Sequence, residues 1–299
     1  MDFSHDEFAS FFIGFFPRRV EVRPGDSVVF KQTWTGEPHT VTLGSLVDDM
    51  MKVAWPYLDM LERLEPLPDA PPGDLLEKMQ KVPEAWGDED SLIQTAMQPC
   101  YMGEEQPPMD GSPCTQQEQR PFTGKETYYN SGFIPYEGAQ GNTFTLPLSE
   151  DLDPGQYYFY CAVHGVLQGG MLDVKPPSTP IPTQAEVNRQ ARKEIQAWAV
   201  PLAETYREAQ RDNILRFRGD TFRGPFAGLA NEKVEHAGIN EFVPRTIRTR
   251  VGRPVSWRFF GSAHTVSFNV PEYFPIVQVG DDGNVALNPL LSEPQGGSP

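Results

Sequence analysis

The chain has 299 residues, a formal net charge of -16, 38% hydrophobic residues, 30 prolines and 26 glycines. That length leaves room for two domains that each bury a core, and the proline and glycine content points to many turns rather than a helical bundle. So acidic a chain is repelled by nucleic acid and by an anionic membrane surface, which leaves a basic protein partner or none, and no apolar run reaches the roughly 18 residues of a membrane span.

The N-terminal stretch MDFSHDEFASFFIGFF lacks the basic n-region and small-residue cleavage site of a secretory signal. In residues 15–44, Val20 and Val22 alternate with charged neighbours, Pro24-Gly25-Asp26 makes a turn, and Val28 and Phe30 resume the alternation, which predicts a β-hairpin. His39 then opens a period-2 stretch, Thr40 to Leu43, that reads as the next strand.

From Ser45 to about Pro121 the pattern changes. Leu46, Met50, Val53, Tyr57, Leu61 and Leu64 recur at helical spacing, which predicts an amphipathic helix broken or kinked near Pro56, with shorter helices over Leu75 to Val82 and Glu84 to Met97. Met50, Met51 and Met60 fall on more than one face of the first helix and are expected to pack rather than bind metal. The segment ends in a Pro/Gly-rich stretch with Cys100 and Cys114, 13 residues between them. A disulfide there would close a loop worth about 3 kcal/mol and would persist only in an oxidising compartment; free thiols or thiol metal ligands are the alternatives. The whole segment reads as a lid or subdomain inserted between two strands.

Strand patterning returns with Phe133, Phe144, Leu146 and Leu148, and DLDPGQ turns into an aromatic strand, Tyr157 to Tyr160. That strand delivers the third cysteine, Cys161, with His164 three residues on, and after a Gly-rich turn a short strand runs from Met171 to Val174. Singly, Cys161 reads as a core cysteine and His39 or His164 as a loop histidine. Together, a thiolate and two imidazoles with a weak fourth ligand make a blue-copper electron-transfer site.

KPPSTPIP, residues 175–182, is a stiff linker. Thr183 with Glu186 forms a capping-box signature, and Val187, Ala191, Ile195, Trp198, Leu202 and Tyr206 make the apolar stripe of the helix that follows. Residues 242–268 then lie over residues 15–43: Pro244 on Pro17, Gly252 on Gly25, Trp257 on Phe30 and His264 on His39. No Cys or His follows His264, which is left as the orphan of a lost site or half of one whose remainder is missing. His5 and His236 have no partner pattern and are expected to be exposed to solvent.

With these residues the chain resembles the cupredoxins, the plastocyanin and azurin family of small copper proteins. The resemblance is carried by Pro17 to Leu43 and by Gly155 to Val174, where the family pattern G-x-Y-x-(Y/F)-x-C-x-x-H is followed by a loop, an axial ligand and a last strand; a weaker match covers Val243 to Phe268. It implies an all-β Greek-key sandwich with one type 1 copper ion, His39, Cys161 and His164 as ligands, and one-electron transfer. Setting Gly170 on the family glycine puts Gln168 in the axial position. Met171 is the alternative, at the start of the last strand and facing outward while Leu172 and Val174 face the core. An amide oxygen is a harder donor than a thioether and stabilises Cu(II), so Gln168 implies a lower reduction potential, as in stellacyanin-type sites.

The expected architecture is a cupredoxin-like sandwich over residues 1–175 with a helical, disulfide-bearing insertion at about 45–121. A linker and helix follow over 176–212, then a second, incomplete cupredoxin-like sandwich over 213–299. The expected function is that of a copper-binding electron-transfer protein outside the cytoplasm, with a redox protein as partner, the signal absent from this chain, and both ends suggesting a piece of a longer one. It is not expected to be an enzyme: five histidines and no His-x-His pair leave no donors for a trinuclear cluster. Alternatives are an enzyme sharing a catalytic copper between two such domains, a copper carrier or storage protein, and a metal-free extracellular interaction module that uses the acidic insertion as its surface.

Overall fold

The structure, a computed structural model, describes residues 5–32, 37–62, 73–85, 92–134, 142–261, 264–269, 277–281 and 284–288. Leu64, residues 86–91 of the expected insertion helices and the terminal EPQGGSP lie outside the described residues. The first elements are β1 (Ser10–Phe12), β2 (Arg19–Val22), β3 (Ser27–Lys31) and β4 (Thr42–Leu43). The insertion contributes α1 (Ser45–Glu62), α2 (Gly73–Met79), α3 (Gln94–Met97) and β5 (Pro99–Met102). Then come β6 (Tyr128–Ser131), β7 (Thr143–Pro147), β8 (Gly155–Cys161), β9 (Gly165–Val174) and α4 (Gln184–Asp212). The remaining strands are β10 (Ile214–Phe217), β11 (Asp220–Arg223), β12 (Phe226–Asn231), β13 (Val234–Val243), β14 (Arg258–Phe259), β15 (Val277–Val279) and β16 (Val285–Leu287).

The strands predicted around Pro24-Gly25-Asp26 form, and Gly25 takes the left-handed φ of +82° that the turn requires. They are not a hairpin. β2 runs parallel to β9, whereas β3 pairs antiparallel with β7. The turn carries the chain from one sheet to another, so Val22 and Phe30 enter one core from opposite sides. The larger sheet has the order β2-β9-β8-β4-β6-β5, and its core against β3-β7 contains Val41, Leu43, Phe144, Leu146, Phe159, Leu172 and Val174.

The other face of that sheet is also buried. Tyr158, Tyr160 and Met171 point away from the sandwich core and pack with Val47, Met50, Met51, Ala54 and Leu58 of α1. This corrects the outward placement of Met171, which is fully buried: alternation does send it to the face opposite Leu172, but α1 covers that face. Burial on both faces is the physical reason β8 reads YYFYC without polar interruption. The insertion also adds β5 as an edge strand on β6, and the Cys100–Cys114 disulfide ties β5 to the loop that follows it.

The capping box at Thr183 and Glu186 is present and α4 runs 29 residues from it. Leu202, Tyr206 and Ala209 of α4 pack on the four-stranded sheet β1-β13-β12-β14 with Phe226, Leu229 and Ile239. Trp198 joins this cluster to the N-terminal segment, its ring 5.1 Å from Phe16 and 6.2 Å from Phe12. His236, expected to be exposed, is instead buried beside Trp198, and burial, aided by the Arg18 charge, lowers its pKa to about 4. Where residues 17–43 give β2, β3 and β4, the described part of the aligned residues 244–268 is largely exposed and contributes one strand, β14. Five arginines between 244 and 258 oppose burial of that segment, and among the described residues no counterpart of β7 pairs with it. No helix among the described residues is long and apolar enough to cross a membrane.

Asp48, in the first turn of α1, accepts the Tyr158 N–H at 2.7 Å. Burial outweighs that hydrogen bond and the nearby Lys52 charge and raises its pKa from 3.8 to about 6. A raised folded-state pKa gives stability that is complete below the unfolded value and is lost as pH rises through the folded one. Urea unfolding of Asp48→Asn, which keeps the acceptor, should match the parent near pH 4 and exceed it by up to about 3 kcal/mol at pH 8.

Candidate metal centre

The β8-β9 hairpin builds most of the site. Tyr160 pairs with Gly169, but the next residue, Cys161, pairs with Gly165, so Val166, Leu167 and Gln168 are looped out of register. The Gly-rich segment therefore lies within β9 rather than in a turn before it, and the last strand begins at Gly165, not Met171. A Cβ on Gly170 would meet the Phe159 ring and lie 2.8 Å from the Arg18 carbonyl oxygen; one on Gly169 would meet Met51. The backbone contact requires glycine at 170, whereas at 169 the flexible end of Met51 would have to shift, and both close approaches lie beside the bulge that carries Gln168.

His39 enters from three residues ahead of β4, bridged to Ile134 by two backbone hydrogen bonds of 2.8 and 2.7 Å. Its Nδ1 is 3.2 Å from His164 Nδ1, 2.9 Å from Gln168 Oε1 and 3.8 Å from Cys161 Sγ. His164 Nδ1 is 3.6 Å from Cys161 Sγ and 2.8 Å from Gln168 Oε1. The donor atoms of His39, Cys161 and His164 all lie within 4.8 Å of one another. All four expected site residues are thus brought together, whereas Met171 packs under α1. Cys161 and Gln168 are fully buried and His39 is 1% exposed; the His164 side chain keeps 11% of its surface.

Two residues that sequence reasoning missed complete the arrangement. Thr40 donates its backbone N–H to Cys161 Sγ at 3.3 Å, and its Oγ1 accepts the Ala162 N–H at 2.7 Å, so one residue ties the His39 segment to the Cys161 loop. Glu37 places Oε1 3.2 Å from the outer nitrogen, Nε2, of His164. The only signal in the sequence was their position on either side of His39, and side-chain types so common carry little information alone.

Electrostatics follow from this crowding. Burial opposes charge on Cys161, but hydrogen bonds from His164 and His39 and their attraction outweigh it and lower the thiol pKa. Burial likewise opposes charge on His164, but Cys161 and Glu37 prevail and raise its pKa. Gln168 Nε2 is buried with no hydrogen-bond partner while Oε1 faces both imidazoles, the orientation in which the amide offers a lone pair to a cation. Nitrogens ~2.0 Å and a sulfur ~2.3 Å from one ion, at angles between tetrahedral and trigonal, lie roughly 3.3 to 3.7 Å apart. The observed separations of 3.2, 3.6 and 3.8 Å fit a single metal ion.

No protein-family model and no curated protein matches the sequence. Among solved structures, the chain is similar to Na-dithionite reduced auracyanin from the photosynthetic bacterium Roseiflexus castenholzii, with 14% identity over 55% of this chain and 90% of that one. The TM-score of 0.24 is too low to establish a shared fold.

Thr40→Val should cost about 1–3 kcal/mol in a denaturation measurement, because the Ala162 N–H loses its acceptor in a buried setting. In the metal-free protein, thiolate absorbance should titrate well below the range of an ordinary cysteine, and His164→Ala should move that midpoint upward.

Proposed function

We propose that this chain is a type 1 copper protein that carries single electrons, with His39, Cys161 and His164 as the strong ligands and Gln168 as the axial one. The observation behind it is the convergence of two imidazole nitrogens, one thiolate and one amide oxygen in a buried pocket. A copper ion held there would alternate between Cu(II) and Cu(I). The protein's part is restraint. Thr40 holds the sulfur and the loop behind it, close packing at the glycines of β9 flanks the bulge of Gln168, and α1 closes the sheet from behind. A donor set held by two sheets and a helix changes little when the charge inside it changes, which keeps the rearrangement accompanying electron transfer small.

Near-complete burial of Cys161, His39 and Gln168 argues against a carrier or storage role, where metal must enter and leave readily. The exposed edge of His164 is the natural route for an electron. The Cys100–Cys114 disulfide supports an oxidising, extracytoplasmic setting, and the acidic surface favours a basic redox partner. In this proposal residues 1–175 hold the copper domain, although their β1 pairs with β13 of the second domain, residues 176–212 form the linker and helix, and 213–299 that second domain, whose His264 contacts the Phe260 carbonyl oxygen.

Titration of the purified protein with Cu(II), followed by optical and EPR spectroscopy, should give one intensely blue, narrow-hyperfine copper per chain, absent in Cys161→Ser. Weak binding indifferent to that substitution would overturn the proposal. Gln168→Met should retain the colour and raise the reduction potential, since a thioether favours Cu(I) more than an amide oxygen does.

A further inference from the structure

The segment from Glu37 to Thr40 contacts every other part of the centre. His39 supplies a donor nitrogen, Thr40 grips Cys161 and Ala162, and Glu37 reaches the far side of His164. The last contact bears directly on which nitrogen of His164 is free. A neutral imidazole has one N–H and one lone pair, and the hydrogen bond made by one nitrogen sets the role of the other. With a carboxylate oxygen 3.2 Å from Nε2, the proton is held there and the Nδ1 lone pair is turned toward His39, Cys161 and Gln168. The Glu37 side chain is itself only 32% exposed, so its charge is incompletely screened. That charge sits one imidazole ring away from the donor cluster and favours whichever state of the centre is more positive.

We propose that Glu37 is a positioning residue of this centre: by accepting the His164 Nε2–H it fixes Nδ1 as the ligating nitrogen and biases the site toward Cu(II) over Cu(I). This rests on the copper-protein function proposed above. Two separable effects are involved, orientation through the hydrogen bond and bias through the charge, and they call for two substitutions. Glu37→Gln keeps an acceptor for Nε2–H but removes the charge; Glu37→Ala removes both.

The experiment uses the full chain loaded with copper. A redox titration of the optical band gives the Cu(I):Cu(II) ratio at fixed solution potential, and NMR of the diamagnetic Cu(I) form gives the exchange rate of the His164 Nε2–H with water. At one solution potential, Glu37→Gln should raise the Cu(I):Cu(II) ratio about tenfold, about 59 mV for a one-electron couple, with the Nε2–H still protected. Glu37→Ala should raise the ratio at least as much and also expose the Nε2–H to rapid exchange. If both variants stay within twofold of the parent ratio, or if Nε2–H exchange in Glu37→Ala equals that of the parent, the role of Glu37 is overturned while the blue copper function stands. If the parent chain itself gives no intense band, the copper function fails and the Glu37 proposal fails with it.

Discussion

Two imidazole nitrogens lie within hydrogen-bond distance of each other, of a sulfur and of an amide oxygen, groups that all carry lone pairs, where water scarcely reaches. Such groups repel unless something positive is shared among them, and burial sharpens the penalty. In the metal-free chain protons must serve, which is why the Cys161 pKa falls while that of His164 rises. The rest of the described residues between 19 and 174 can be understood as the framework that holds these donors together despite that repulsion.

The framework is layered. One sheet separates two cores: Phe159, Leu172 and Val174 face β3 and β7, while Tyr158, Tyr160 and Met171 face α1. Cys161 lies at the end of the strand common to both, so its position is set from both sides. The Tyr160 hydroxyl donates to the Pro83 carbonyl oxygen at 3.1 Å and the Ala85 N–H to that of Ala162 at 2.9 Å. The insertion thus holds the residue on either side of the cysteine, Tyr160 by its side chain and Ala162 by its backbone. It acts as a third layer and a brace for the ligand loop rather than a lid hung between two strands.

Much of this was legible in the sequence because short-range pattern and local geometry agree there. The capping box at Thr183, the helical spacing from Ser45, the period-2 residues Phe144, Leu146 and Leu148, and the Cys161-x-x-His164 spacing each report a local arrangement, and each is present. What was missed depends on partners distant in sequence. Val20/Val22 and Val28/Phe30 look the same whether they pair with each other or with separate sheets, and only β9 and β7 decide. Met171 looked outward-facing because nothing in its own strand announces α1. His236 has no pattern of its own and is buried by Trp198 of another element. Residues 244–268 share the spacing of residues 17–43 but lack among the described residues the strands that would give that spacing a use.

The pairing of β1 with β13 has a consequence for synthesis. Phe11 lies opposite Gly238 in that ladder, so during translation this strand waits for one made more than two hundred residues later. At ordinary elongation rates the wait is on the order of ten seconds or more. Throughout it the phenylalanine-rich segment around β1 has neither its ladder nor the pocket formed by Tyr206 and Trp198. The layered sheet that carries the donors needs only residues 19–174 for its own ladders and can form in that interval. The order of emergence from the ribosome therefore separates the two assemblies in time, and chaperone demand should fall on the segment around β1 rather than on the one that holds the ligands.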